Sequence, residues 1–249
     1  MLHCHYLPQF VSESDLAGDA VVVIDLLRAS TTICRALASG AAEVQAFLDV
    51  AGVVRAAERA GRESVILGGE RGGVTIEGFD LGNSPLEYTP DTVFGKKVFF
   101  TTTNGTAALT HARLARRVVV GAAVNLSAVV ESLREEPAVH LLCAGTSGHV
   151  TREDRLAAGA IAVGLMEHGH RDTNDQADRV LGEWQELLTT ARALGRTPSQ
   201  QLAMELRDTP GGKNLLELDM DEDLPECAAI DALDIVPEYD PKTGRITAH

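Results

Sequence analysis

Residues 20–47 read AVVVIDLLRASTTICRALASGAAEVQAF, and this stretch decides the fold class. Ala20 to Ile24 is apolar without alternation, the pattern of a strand buried on both faces. A polar turn containing Asp25, Arg28, Ser30 and Thr31 follows, then an alanine-rich helix to about Gly40 and a second strand. The plan recurs in residues 96–125, KKVFFTTTNGTAALTHARLARRVVVGAAVN: a strand at Val98 to Phe100, a hydroxyl-rich turn at Thr101 to Thr106, a helix at Ala107 to Leu114 and a strand at Val118 to Val120. It returns in residues 138–169, with Thr146 and Ser147 in the turn and Glu153 and Asp154 opening the helix. Strands alternating with helices predict an α/β protein with a largely parallel or mixed sheet and flanking helices. The whole of 1–249 is read as one unit. Two similar lobes, 1–95 and 96–249, are an expected subdivision with the site between them.

The polar turns fall where strands end and helices begin. In open α/β sheets that edge binds ligands, and helix N-termini there favour anions. A single Ser or Thr in such a turn is explained by helix capping alone. Four threonines and an asparagine within Thr101 to Thr106 exceed what one cap needs.

A second stretch, residues 68–90, reads GGERGGVTIEGFDLGNSPLEYTP. Glycines surround Glu70 and Arg71, and Asp80, Asn83 and Ser84 follow. Glycine lets the backbone approach other groups closely at an entropic cost, so this segment is either an elaborate connector or the wall of a site.

Composition narrows the classes. The chain has 249 residues, 45% hydrophobic and 23% charged, which is ordinary for a globular protein. A net charge of −14 argues against general affinity for nucleic acid or anionic membranes. No apolar run reaches the roughly 18 residues of a membrane helix. The N-terminus lacks the basic start and apolar core of a secretion signal. Cys4, Cys34, Cys143 and Cys227 lie far apart, reading as buried thiols in a reducing compartment, so a cytoplasmic location is expected. A homodimer is the expected assembly.

Several motifs fail on inspection. Gly73 to Gly78 has P-loop glycine spacing, but Phe79 stands where the phosphate-gripping Lys belongs. Gly211-Gly212-Lys213 has the Lys, but Arg207 where the first Gly belongs. Asp25 is followed two residues later by Leu27, not by the second carboxylate of a haloacid-dehalogenase-type phosphatase. His149, His168 and His170 lack partners at ligand spacing. Asp219, Asp221 and Asp223 begin like a calcium loop, but Leu224 and Ile230 occupy its required Gly and Glu positions. The acidic run Glu217 to Glu226 therefore reads as a solvated face.

Five blocks remain: 21–33 (VVVIDLLRASTTI), 68–90, 97–109 (KVFFTTTNGTAAL), 143–161 (CAGTSGHVTREDRLAAGAI) and 223–237 (DLPECAAIDALDIVP). In this order they closely resemble the 2-phosphosulfolactate phosphatase family of coenzyme M biosynthesis. The resemblance runs from about Val21 to Pro237. It implies a family-specific α/β fold, a magnesium cofactor, and hydrolysis of a phosphate monoester on a small sulfonated hydroxy acid. Two departures are visible: Asp219 where glycine is expected, and a loosely matching region 170–210.

The residues agree with that chemistry. Hydrolysing a phosphate monoester requires neutralised oxygens and a charge sink for the leaving alkoxide. Magnesium takes hard oxygen ligands, usually one or two carboxylates with water and phosphate. Asp25, Glu70 and Asp80 are the candidate metal ligands, and Asp25, Glu70, Arg28 and Arg71 the candidate catalytic groups. Arg28 and Arg71 can fork onto an anion bidentately. Ser30, Thr31, Asn83, Thr102, Thr103, Asn104, Gly105, Thr106 and Thr146 are the candidate substrate-binding residues. A non-catalytic binder of a phosphorylated or sulfonated metabolite is the alternative; it would keep the arginines and hydroxyls without needing Asp25 or Glu70.

Overall fold

The computed structural model describes residues 1–248. Its ten strands form one sheet in the spatial order β1-β8-β2-β7-β9-β10-β3-β6-β4-β5. These are β1 (Leu2–His5), β2 (Ala20–Ile24), β3 (Glu43–Ala46), β4 (Val65–Arg71), β5 (Val74–Thr75), β6 (Lys97–Thr101), β7 (Arg117–Val120), β8 (Val139–Cys143), β9 (Pro237–Asp240) and β10 (Arg245–Ala248). Two blocks are parallel: β1, β8, β2 and β7 form one, β3, β6 and β4 the other. The β9–β10 hairpin joins them by pairing antiparallel with β7 on one side and β3 on the other. The sheet is therefore mixed, as the sequence allowed. Each block draws strands from both sides of residue 95: β6 lies between β3 and β4, and β2 between β8 and β7.

Among the described residues ten helices flank the sheet: α1 (Ala29–Ala38), α2 (Val50–Ala60), α3 (Pro90–Val93), α4 (Gly105–His111), α5 (Leu126–Leu133), α6 (Arg152–Glu167), α7 (Asp175–Ala193), α8 (Pro198–Arg207), α9 (Pro210–Glu217) and α10 (Asp223–Cys227). Most are amphipathic pieces with readable starts. The side chain of Asn174 caps α7 by accepting from the Ala177 N–H, and Thr197 caps α8 with Gln200 completing a capping box. The turn between α7 and α8 falls at residues 195–199, GRTPS. The segment DIVPEYD supplies β9.

Every residue of β2 is buried, which explains its unbroken apolar run: both faces are covered, so no position tolerates a polar side chain. Each buried Val or Ile contributes about 1.5–3 kcal/mol relative to exposure. The main core surrounds this strand, and a smaller cluster of Val53, Ala57, Val65, Leu67 and Phe99 sits where α2 packs on β4 and β6.

Five inter-strand steps separate β2 from β6, about 24 Å in a flat sheet. Yet Gly105, four residues past the end of β6, packs against Asp25 at the end of β2. Asp25 and Glu70, at the ends of β2 and β4 and six inter-strand steps apart, likewise line a single cavity, so the sheet is curled. Its curvature brings the C-terminal ends of both parallel blocks to one place.

Candidate active site

A cavity of about 380 Å³ opens at this convergence. Four turns build it: the one after β2 (Asp25, Leu27, Arg28), the β4–β5 hairpin (Glu70, Gly72, Gly73), the turn after β6 (Thr103, Asn104) and the loop after β8 (Thr146, Ser147). Asn83 and the start of α9 (Pro210, Gly211, Asn214, Leu215) complete the wall.

Asp25 sits at the floor, 7% exposed. Its backbone N–H donates to Ser30 Oγ at 2.9 Å, and its carbonyl accepts from the Ser30 N–H at 2.9 Å. Ser30 therefore braces the strand end rather than facing the cavity. Thr31 does likewise, donating to the Leu26 carbonyl at 3.1 Å. A β-carbon added at Gly105 would stand 2.8 Å from Asp25 Oδ2, so only glycine lets α4 approach the carboxylate this closely. Thr102 Oγ1 lies beside the same spot, buried and without a hydrogen-bond partner. Thr106 is buried and donates to the Thr102 carbonyl at 3.0 Å, a helix-terminal bond.

Glu70 is held from two sides. Its Oε1 accepts from the Thr103 N–H at 2.8 Å and the Thr103 hydroxyl at 3.0 Å, and its Oε2 from the Gly73 N–H at 2.7 Å. Gly72 and Gly73 form a two-residue hairpin loop with φ of 63° and 88°, the left-handed pair such tight turns require. Within residues 68–90, Gly72 and Gly73 wall the site, while Gly68 and Gly69 serve packing against Tyr88 and the Thr101 carbonyl.

Two further carboxylates crowd behind Asp25. Asp154, 2% exposed, accepts from the Leu26 N–H and the Gly145 N–H, each at 2.9 Å, and from the Thr151 hydroxyl at 3.1 Å. It ties the exits of β2 and β8 to the start of α6. Glu153 accepts from the Gly211 N–H at 3.2 Å, and its Oε2 is buried with no partner. Burial, then the charges of Asp154 and Glu70, push the Asp25 carboxyl well above the usual carboxylate range. Burial and Glu153 raise Asp154 to about 7, and burial raises Glu153.

Of the expected residues, the structure gathers Asp25, Arg28, Glu70, Asn83, Thr103, Asn104 and Thr146 around the cavity. Asn83 Oδ1 is buried and unpartnered. The Asn104 side-chain oxygen accepts from the Ser147 N–H at 2.9 Å, fastening the β8 loop to α4. Ser30, Thr31, Thr102, Gly105 and Thr106 pack behind the wall without lining it, and two charged residues lie away from it altogether. Asp80 Oδ1 pairs with Arg62 at 2.7 Å and its Oδ2 accepts from the Leu67 N–H at 2.8 Å, on the outside of β4; it stands apart from Asp25 and Glu70 as a metal ligand. Arg71 is exposed, donating to the Glu70 carbonyl and Thr101 Oγ1. Strand alternation explains this: adjacent residues point to opposite faces, so Glu70 and Arg71 cannot both face the cavity.

The acidic run 217–226 departs from its expected solvated character. Asp223 is 2% exposed and pairs with Arg28 Nη1 at 2.6 Å. No local signal marked it, because its partner lies 195 positions away. Asn214 and Gly211 were also missed; two glycines inside the start of α9 were the available signal.

The family model for 2-phosphosulpholactate phosphatase matches residues 5–242. The chain belongs to this family. It is 42% identical over 229 residues to a probable 2-phosphosulfolactate phosphatase of Parasynechococcus marenigrum, covering 90% of each chain. It is 41% identical over 228 residues to one of Symbiobacterium thermophilum, covering 90% of this chain and 93% of that one. A third, from a Cyanothece species, is 35% identical over 247 residues and 98% of both chains. The family's activity, phosphoric monoester hydrolysis, thus meets a cavity rich in carboxylates and amide or hydroxyl donors. No helix among the described residues is long and apolar enough to cross a membrane.

Proposed function

We propose that the chain hydrolyses 2-phosphosulfolactate to sulfolactate and phosphate in this cavity, with magnesium held by Asp25 and Glu70. The observation that carries the proposal is the charge balance of the wall. Asp25 and Glu70 face the cavity, Asp154 and Glu153 stand behind them, and Arg28 is the cationic side chain in the lining. Arg28 is itself paired with Asp223. An anionic ester entering such a site meets net negative charge unless a cation accompanies it.

The residues fit that cation. Among the described residues no three His, Cys, Asp or Glu side chains converge at ligand distance, but magnesium uses one or two carboxylates and keeps waters. Two hard-oxygen carboxylates at a cavity backed by two more buried ones suit it, whereas soft or nitrogen-rich metals find no ligands there. When bound, magnesium would neutralise phosphoryl oxygens and the charge developing on the leaving oxygen.

The chain's own groups supply positioning. Arg28 offers guanidinium N–H donors to an anionic group, and Asn83, Asn104 and the Thr103 region line the remaining wall. The cavity volume lies near the lower end for small-ligand sites, suited to a three-carbon ester. A non-catalytic binder would gain nothing from burying carboxylates against one another, so the cluster favours catalysis. The four buried free thiols support a reducing, cytoplasmic setting.

The test is phosphate release from 2-phosphosulfolactate after EDTA treatment and after magnesium is restored. Loss and recovery of turnover are expected. Full activity in metal-free buffer would overturn the metal assignment.

A further inference from the structure

Arg28 is clamped more firmly than a residue that only meets substrate needs to be. Its Nη1 donates to Asp223 Oδ2 at 2.6 Å and contacts Met220 Sδ at 3.2 Å, and its Nη2 donates to the Gly73 carbonyl at 2.9 Å. Ser84 donates its hydroxyl to the other Asp223 oxygen at 2.6 Å. Arg28 and Asp223 side chains are each 3% exposed. Asp223 does not line the cavity, whereas Arg28 does.

We propose that Asp223 is a positioning residue for the substrate anion, holding the Arg28 guanidinium so that its remaining N–H donors face the cavity. This rests on reading the cavity as the phosphate-ester site. Guanidinium carries five N–H donors in a rigid fork. Asp223, Met220 and Gly73 occupy three of them, leaving the Nε–H and one Nη2–H.

The geometry also shows what Asp223 prevents. Asp25 and Glu70 share the cavity wall with Arg28. A free guanidinium there would pair with one of them, removing both a cation from the substrate and a carboxylate from the metal. Asp223 supplies a buried competing partner on the far side. Its grip extends to the hairpin: Gly73 accepts from Arg28 through its carbonyl and donates to Glu70 through its N–H. Ser84, Asp223, Arg28, Gly73 and Glu70 thus form one continuous chain of contacts. The segment whose sequence looked like a solvated acidic face locks the site.

The experiment titrates inorganic phosphate into the full chain at saturating magnesium by calorimetry, for wild type, D223N, R28K and D223N/R28K. Melts and the kcat and KM for 2-phosphosulfolactate accompany it. D223N is expected to remain folded, bind phosphate at least tenfold more weakly, and raise KM more than it lowers kcat. R28K should lose a similar factor, and the double variant should lose no more than the worse single variant. Phosphate affinity and KM in D223N within twofold of wild type, with only the melt lowered, would overturn the proposal. Additive losses in the double variant would also overturn it. If D223N does not fold, D223E decides: the charge stays but the carboxylate is displaced by a methylene, so phosphate should bind several-fold more weakly, and unchanged affinity would be a refutation. A wild type that releases no phosphate from the ester refutes the catalytic reading alone. One that binds no phosphate at millimolar concentration refutes the role of Asp223.

Discussion

Gly105 of α4 lies directly against the Asp25 carboxylate: a β-carbon there would stand 2.8 Å from Asp25 Oδ2 and 2.8 Å from the Ala29 β-carbon. The backbone of Gly105 is helical, so alanine costs nothing in conformation, and the contact alone is at stake. Gly105→Ala should therefore push the Asp25 carboxylate or α4 out of place. Turnover is expected to fall at least tenfold, with a destabilisation of about 1–3 kcal/mol from overpacking. Phosphate release and a thermal melt check it; an alanine variant with normal kinetics would show that the contact is slack.

Glu70 offers a second test. Each of its oxygens accepts from the walls of the cavity, Thr103 on one side and Gly73 on the other. Glu70→Gln removes the charge and turns one acceptor into a donor facing an N–H or O–H donor. Magnesium affinity, followed by calorimetry, should weaken tenfold or more, and kcat should fall about a hundredfold. Wild-type magnesium affinity would place the metal elsewhere.

Asp80 is the control. Its pair with Arg62 is a surface one, worth about 0–1 kcal/mol, and asparagine can still accept from the Leu67 N–H. Asp80→Asn should keep kcat and KM within twofold of wild type. A large loss of magnesium dependence would return Asp80 to the site.

The strand-turn-helix repeats were legible because β2, β6 and β8 are apolar runs ended by polar turns, and local pattern fixes such elements. Asp25, Thr103, Asn104 and Thr146 were legible for the same reason, each sitting in a turn after a strand, while Glu70 stood out by its glycine neighbours. Asp223, Glu153 and Asp154 were not readable as site residues. Glu153 and Asp154 look like ordinary acidic residues opening a helix, and Asp223 like one of a run. Their roles come from packing between segments far apart in the chain, through a sheet whose curvature no local pattern encodes. Arg71 illustrates the opposite error, since its charge and glycine neighbours suggested a site while strand alternation turns it away.

Stability should carry the mark of the buried carboxylates. Asp154 is raised in the folded protein to about 7 from an ordinary 3.8, so the folded state binds its proton more tightly than the unfolded state does. That contribution is fully present below about pH 4 and is lost as pH rises through about 7. Asp25 is shifted in the same direction. In metal-free buffer the melting temperature of wild type relative to Asp154→Asn should decline between pH 4 and 7. A difference that is flat with pH would show that Asp154 is ionised without cost.

The role of Asp25 is tested most directly by pairing the melt of Asp25→Asn with its phosphate release from 2-phosphosulfolactate at saturating magnesium. Asparagine keeps the size of the side chain but removes a charge held among Asp154, Glu70 and Glu153. The metal-free variant should melt at or above the wild-type temperature, since a buried charge surrounded by like charges is relieved. Its turnover should fall by about three orders of magnitude or more, the loss expected when charge stabilisation at the reacting group is removed. A folded variant with near-wild-type turnover would contradict the account, removing Asp25 from the chemistry and leaving it as a strand-end residue.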